Sequence, residues 1–159
     1  MTVGDVPVLQ AKKLTMDEYA MNHPAGRIGK RLILKVADVM KKGDDLPVSS
    51  ADATLMSELV KLSSAGVGCL LIVDAAGKLE GVFTDGDLRR HLKDKGGDVL
   101  EMTMGQLMCK TPRTVSPLMK AVEAMAAMES PTPVTFMPVV EDGKLEGLIT
   151  LHTLVSAGL

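Results

Sequence analysis

The residues best placed to do chemistry in this chain are Thr84 and Asp87, with Thr150 as their counterpart further on. Gly81-Val82-Phe83-Thr84 reads as a short apolar strand that runs into a sharp corner, and Asp87 falls three residues after the threonine. Leu88 and Leu92 then recur at helical spacing and can share one buried face. A threonine at a helix N-terminus offers its hydroxyl beside unpaired backbone N–H groups, which suits an anion. A carboxylate three residues on can accept two hydrogen bonds from a cis-diol. The same Thr-x-x-acid spacing also serves as a capping box and then needs no ligand. Arg89 and Arg90 follow on this helix, either to meet a phosphate or sugar acid or to form a solvated basic face.

The corner occurs twice. Gly77-Lys-Leu-Glu-Gly81 and Gly143-Lys-Leu-Glu-Gly147 are the same five-residue string, 66 residues apart, and each is followed by two apolar residues and a threonine. A repeat of that length means one supersecondary unit used twice. The second copy has Thr153 in place of the acid, so Thr150 can hold an anion but should hold a ribose poorly.

The elements that must position these residues follow from pattern. In the first repeat, Pro47-Val48 is a brief strand, and a helix from about Ala53 to Ser64 presents Leu55, Met56, Leu59, Val60 and Leu62 as its apolar side. Cys69–Val73 is an uninterrupted apolar strand, expected to be buried on both faces. A turn at Ala75–Lys78 leads to an antiparallel strand over Glu80–Phe83, and a helix over Asp85–Lys93 closes the unit. The second repeat runs the same way. Thr114–Ser116 matches the first strand, and Pro117–Ser130 is a helix with Val122, Met125, Ala126 and Met128 inward. Strands at Thr135–Val140 and Glu146–Thr150 and a last helix at Leu151–Ala157 complete it. Val36–Met40 and Met102–Met108 are matching short helical lead-ins. The fold class is α+β: two βαββα repeats packed as a pseudo-two-fold pair, because one alone would leave its sheet face open.

Composition narrows the function. The chain has 159 residues, 46% hydrophobic but only 2% aromatic, so its core is aliphatic and filled in part by 12 methionines. Net charge is −2, which gives no broad attraction to nucleic acid, and the aromatics that single-stranded binding would want are missing. Cys69 and Cys109 stand 40 residues apart with no metal spacing and fit a reducing compartment. No signal peptide is legible, and no apolar run approaches the ~20 residues of a membrane span. The expectation is a cytoplasmic protein or soluble fragment, with neither metal nor cofactor.

Residues 1–34 lie outside the repeat. Short helices are expected from Asp5 to Lys13 and from Thr15 to Met21, followed by a loop, Asn22-His23-Pro24-Ala25-Gly26-Arg27. By spacing alone His23 is an exposed loop histidine. Such short helices cannot bury a core by themselves and must dock on the repeats or on something further.

Paired units that each end in Gly-h-h-Thr-x-x-Asp, where h is apolar, resemble the cystathionine-β-synthase type (CBS) domain, two of which form a Bateman module. The likeness covers residues 35–95 as a first domain and 103–159 as a second. It implies that Thr84 meets a nucleotide phosphate and Asp87 the ribose hydroxyls, with Thr150 as a further ligand contact; Arg90, by its place on the same helix, is the arginine expected to join them. Three strings, at 22–31, 36–40 and 83–90, together resemble the C-terminal half of D-arabinose 5-phosphate isomerases. These carry a sugar isomerase (SIS) domain before a CBS pair and serve the route to the octulosonate sugar Kdo. On that likeness residues 1–34 are the tail of the isomerase domain and His23 is a catalytic residue, shuttling a proton between two sugar carbons. The remaining catalytic groups would lie outside this chain, which alone should show no turnover. The implied ligand is CMP-Kdo, CMP or an adenine nucleotide, and the implied partner is a second copy of the chain. Two alternatives stand beside this: a scaffold that binds nothing and only dimerises, and a stand-alone CBS regulator of another protein.

Overall fold

In the computed structural model, residues 29, 32–64 and 66–159 are described. The expected helices at 5–13 and 15–21, and His23, lie outside the described residues. In chain order the elements are α1 (Val36–Val39), β1 (Val48–Ser49), α2 (Leu55–Ser64), β2 (Cys69–Val73), β3 (Leu79–Thr84) and α3 (Asp85–Lys95). A 3-10 helix at Gly96–Glu101 leads to α4 (Met104–Leu107), α5 (Ala121–Glu129), β4 (Phe136–Glu141), β5 (Lys144–Thr150) and α6 (Leu151–Ser156).

The first sheet has the order β1-β2-β3, with β1 parallel and β3 antiparallel to β2. Cys69–Ile72 are fully buried, as their unbroken apolar run requires. Among the described residues the second sheet holds only β4 and β5, antiparallel. Where the first repeat has β1, the second makes one parallel bridge, Val115 to Val139. The hairpin turns are built by local chemistry. Asp74 Oδ1 accepts from the Ala76 and Lys78 N–H groups, both at 2.9 Å, and Gly77 takes φ 86°. The two identical strings then meet each other. The Leu79 N–H donates to Gly143 O and the Leu145 N–H to Gly77 O, both at 3.0 Å.

Three helix faces differ from the sequence expectation; on α3, Leu88 is half-buried but Leu92 is exposed, so the two do not share a buried face. On α2, Leu55 and Leu62 are buried and Leu59 packs beside them, but Met56 and Val60 are 57% and 78% exposed. A stripe at i, i+4 and i+7 is all that one helix face can turn inward, and Met56 and Val60 lie one position out of phase. On α5, Ala121, Ala124 and Met128 are buried, while Val122 and Met125 are half-buried and Ala126 is exposed. Of the expected inward set, Met128 is in the core and Met125 packs against it, while Ala126 faces out, because a run of small apolar residues gives no phase by hydrophobicity alone.

The lead-in helices are exchanged between the units. Val36 of α1 belongs to the core of the second unit, among Val115, Ala124, Val139 and Ile149. Met104 and Leu107 of α4 belong to the core of the first, among Leu55, Leu70, Ile72 and Phe83. Matching hydrogen bonds hold both. Ala121 N–H donates to Leu34 O and Val36 N–H to Met119 O, each at 2.8 Å; Leu55 N–H donates to Met102 O at 2.9 Å and Met104 N–H to Ala53 O at 2.8 Å. Between the sheets, Cys69, Leu71, Val82 and Leu148 form a third cluster that joins the halves.

Past each lead-in helix the chain pairs with the other unit's last strand. Val82 exchanges hydrogen bonds with Cys109 at 3.0 and 2.8 Å, and Leu148 with Lys41 at 3.0 and 2.8 Å. These crossings explain the glycine before each corner. A Cβ at Gly81 would lie 2.6 Å from Cys109 O, and one at Gly147 would lie 2.6 Å from Lys41 O.

Candidate functional site

The first corner forms where β3 hands over to α3. Thr84 is still extended (φ −121°, ψ 166°), and Asp85 begins the helix. The capping box is made in both directions. Asp87 N–H donates to Thr84 Oγ1 and Thr84 N–H donates to Asp87 Oδ2, each at 3.0 Å. Arg90 donates from its guanidinium to Asp87 Oδ1 one turn on. Cap and ligand site are therefore not exclusive readings of this motif. Each carboxylate oxygen carries two lone pairs, so Asp87 keeps acceptor capacity while it caps. Thr84 Oγ1 accepts from the helix and still has its own proton to donate.

Thr84, Asp87 and Arg90 face one cleft of about 240 Å³. Its opposite side belongs to the second unit: Arg113 and an apolar wall of Val134, Phe136 and Pro138. Arg113 donates to Ala127 O at 2.9 Å, to Ser130 O at 2.8 Å and to Thr132 O, which ties down the chain leading to that wall. The sequence reading missed Arg113 and the wall. The matching position in the first repeat is Pro47, so comparing the repeats gave no signal. Arg89 is exposed and does not line the cleft. The arrangement offers an acceptor for a diol, a hydroxyl and two guanidinium groups for anionic oxygens, and one aromatic ring for a flat apolar group.

Thr150 lies in a different cleft, of about 230 Å³, with Lys41, Gly66, Val67, Thr135, Leu151 and His152. Here too the cap is reciprocal: Thr153 N–H donates to Thr150 Oγ1 at 3.0 Å and Thr150 N–H to Thr153 Oγ1 at 2.9 Å. The Thr153 hydroxyl also donates to Thr150 O at 2.8 Å, so it is used up locally and cannot replace a carboxylate.

The two cysteines differ. Cys69 is fully buried in β2, and burial, reinforced by the charge of Asp85 against that of Lys41, pushes its thiol up to about 12. Cys109 is exposed at the first cleft. Among the described residues, no helix is long and apolar enough to cross a membrane.

Twin βαββα units of this order, joined across a pseudo-two-fold with a Gly-h-h-Thr corner in each, define a class, and the chain belongs to the CBS domain family. That family's model matches residues 36–94 and 104–159. Over its whole length the chain is 37% identical to the arabinose 5-phosphate isomerase KdsD of Pseudomonas aeruginosa, covering 49% of that protein. It is 39% identical over 155 residues to an uncharacterized protein of Chlamydia muridarum, covering 96% of this chain and 47% of that one. The chain thus spans about half the length of the curated relatives it matches. Among solved structures, CBSX2, a CBS-pair protein of Arabidopsis thaliana, in complex with AMP superposes with a TM-score of 0.67 at 27% identity, covering 79% of this chain and 96% of that one.

Proposed function

We propose that this CBS pair is the regulatory part of an arabinose 5-phosphate isomerase and senses a ribonucleotide in the Thr84–Asp87 cleft. The observation that carries the reading is the convergence of Thr84, Asp87 and Arg90 with Arg113 and Phe136 in one cleft. Asp87 accepts the ribose hydroxyls, Thr84 and the guanidinium groups meet phosphate or sugar-acid oxygens, and Phe136 with its neighbours covers the base. The similar CBSX2 holds AMP, which supports an adenine nucleotide. The kinship with KdsD supports CMP-Kdo or CMP as a feedback ligand. In this reading an isomerase domain precedes the CBS pair in the full protein, residues 1–34 are its tail, and His23 takes part in its catalysis. The protein acts in the cytoplasm on small molecules and binds neither nucleic acid nor membrane.

Calorimetry with AMP, ATP, CMP and CMP-Kdo, on the chain and on Asp87→Ala, tests the site. A hydrogen bond to a charged group is worth about 1.5–3 kcal/mol, so Asp87→Ala should weaken binding roughly 10- to 150-fold. Because Asp87 also caps α3, the 2′-deoxy form of the ligand that binds gives the same test without touching the fold. Equal affinity for the ribo and 2′-deoxy forms rejects the ribose role.

A second reading has an observation of its own. Met56 and Val60 on α2, and Leu151 and Val155 on α6, leave apolar side chains 44–78% exposed. A homodimer through these helices would cover them, with or without a ligand. Sizing of the chain as a dimer, with no thermal shift from any nucleotide, would favour a scaffold. A natural reading frame without an isomerase domain upstream would instead favour a stand-alone regulator.

A further inference from the structure

The apolar wall of the first cleft hangs on a connection that is short of its own hydrogen-bond donors. α5 ends at Glu129, and the chain then runs Ser130-Pro131-Thr132-Pro133 before it reaches Val134 and Phe136 of the wall. In a continuing helix the Ala127 carbonyl would accept from the N–H four residues on. That residue is Pro131, which has no N–H to give. Arg113 supplies donors in its place. Its Nη1 donates to Ala127 O at 2.9 Å and to Ser130 O at 2.8 Å, and its Nη2 donates to Thr132 O. A cation at a helix C-terminus also suits the helix dipole. The wall is tied back to the helix by Val134 N–H, which donates to Met128 O at 2.8 Å. The first repeat is built otherwise. It leaves α2 through Gly66 and Gly68, at φ 74° and 69°, and has Pro47 where the second has Arg113.

We infer that Arg113 is a positioning residue of the first cleft. By grasping three carbonyls of the α5–β4 connection, it sets Val134 and Phe136 where they cover a base, and so governs how well the cleft takes a nucleoside, apart from any contact with phosphate. The ligand part of this rests on the nucleotide reading above; the brace itself does not. The role needs a guanidinium, whose rigid planar fork can serve several carbonyls at once. A lysine ammonium is a point charge on a flexible stem and cannot hold the same set in place. After three bonds the Nε–H and one Nη2 proton remain, so the same side chain can still meet an anionic oxygen.

Two measurements on the 159-residue chain, with Arg113→Lys and Arg113→Met, test this. The first is amide hydrogen exchange by NMR without ligand. Val134 N–H should exchange about tenfold faster or more in both variants. Leu71 N–H, which donates to Pro47 O in the first unit at 2.8 Å, should keep its rate. Unchanged exchange at Val134 overturns the inference, and so does equal acceleration at both amides, which marks a general loss of stability. The second is calorimetry with adenosine and with AMP. Losing the placed ring should weaken adenosine about three- to tenfold in both variants, with no rescue by the lysine charge. AMP should weaken by at least the same factor. Adenosine binding to both variants as it does to the parent, with only AMP weakened, makes Arg113 a phosphate contact alone and overturns the positioning role. A parent that binds neither compound sinks the nucleotide reading and the selection for a base with it; exchange at Val134 then still decides whether Arg113 holds the wall.

Discussion

Replacing Gly81 by alanine should weaken the fold itself, with no ligand present. The added Cβ would lie 2.6 Å from Cys109 O and 2.7 Å from Met108 Sδ. Carbon–oxygen contacts between strands settle at about 3.3–3.6 Å, so the Cys109 segment must retreat by roughly 0.7–1 Å. The methionine can swing away, but the carbonyl is backbone and moves only with its strand. That motion breaks the pair of Val82–Cys109 hydrogen bonds, now 3.0 and 2.8 Å. Two such bonds are worth about 0.5–1.5 kcal/mol each, and overpacking adds about 1–3 kcal/mol. The expected loss is therefore about 2–6 kcal/mol, a large share of the 5–15 kcal/mol typical of a domain. Gly97→Ala is the control, since its Cβ would meet nothing within 4 Å. Urea unfolding followed by far-UV circular dichroism gives both values, there being no tryptophan to report. If Gly81→Ala falls within about 0.5 kcal/mol of Gly97→Ala, the exchanged segment does not press on β3 and this account of the glycine is wrong.

Two further outcomes follow from the exchange and from the buried thiol. A fragment of residues 42–110 keeps the whole first core, whereas one of residues 35–95 loses Val99, Met104 and Leu107. At about 1.5–3 kcal/mol for each buried side chain, the shorter piece should be less stable by roughly 5–9 kcal/mol, and circular dichroism of the two should show only the longer one folded. For Cys69 the folded thiol titrates near 12 against an ordinary 9.0. Between these values the unfolded chain has lost its proton and the folded chain has kept it. The stability contributed below pH 9 therefore falls as pH rises, by about 1.4 kcal/mol per pH unit. Urea unfolding at pH 8 and pH 10 should show a steeper decline for the parent than for Cys69→Ala; equal declines would contradict a protonated buried thiol.

The local features of this fold were legible and the distant ones were not. Cys69–Val73 could be read as a doubly buried strand because an unbroken apolar run has no wet face to turn outward. The corners at Thr84 and Thr150 could be read because a cap and its partner lie three residues apart. The exchange of α1 and α4 could not, since Val36 and Met104 are equally apolar and either core would accept either one. The phase of α5 was lost in a stretch of alanine and methionine whose apolar residues nearly encircle the helix. At the site, Thr84, Asp87 and Arg90 follow one another at three-residue spacing along one helix start and were found together. Arg113 and Phe136 reach the same cleft from the other repeat, and no spacing along the chain announces that.

The crossing of α1 also sets an order of events on the ribosome. Val36 emerges early, but its partners begin at Val115 and run to Leu154. At about 5–20 residues per second, the last of them appears roughly 6–24 s later. The first unit can close as soon as Met104 and Leu107 arrive. From then until Leu154 emerges the nascent chain carries a finished half with an unclaimed apolar helix ahead of it, and synthesis of the last hairpin and helix is what finally gives that helix a home.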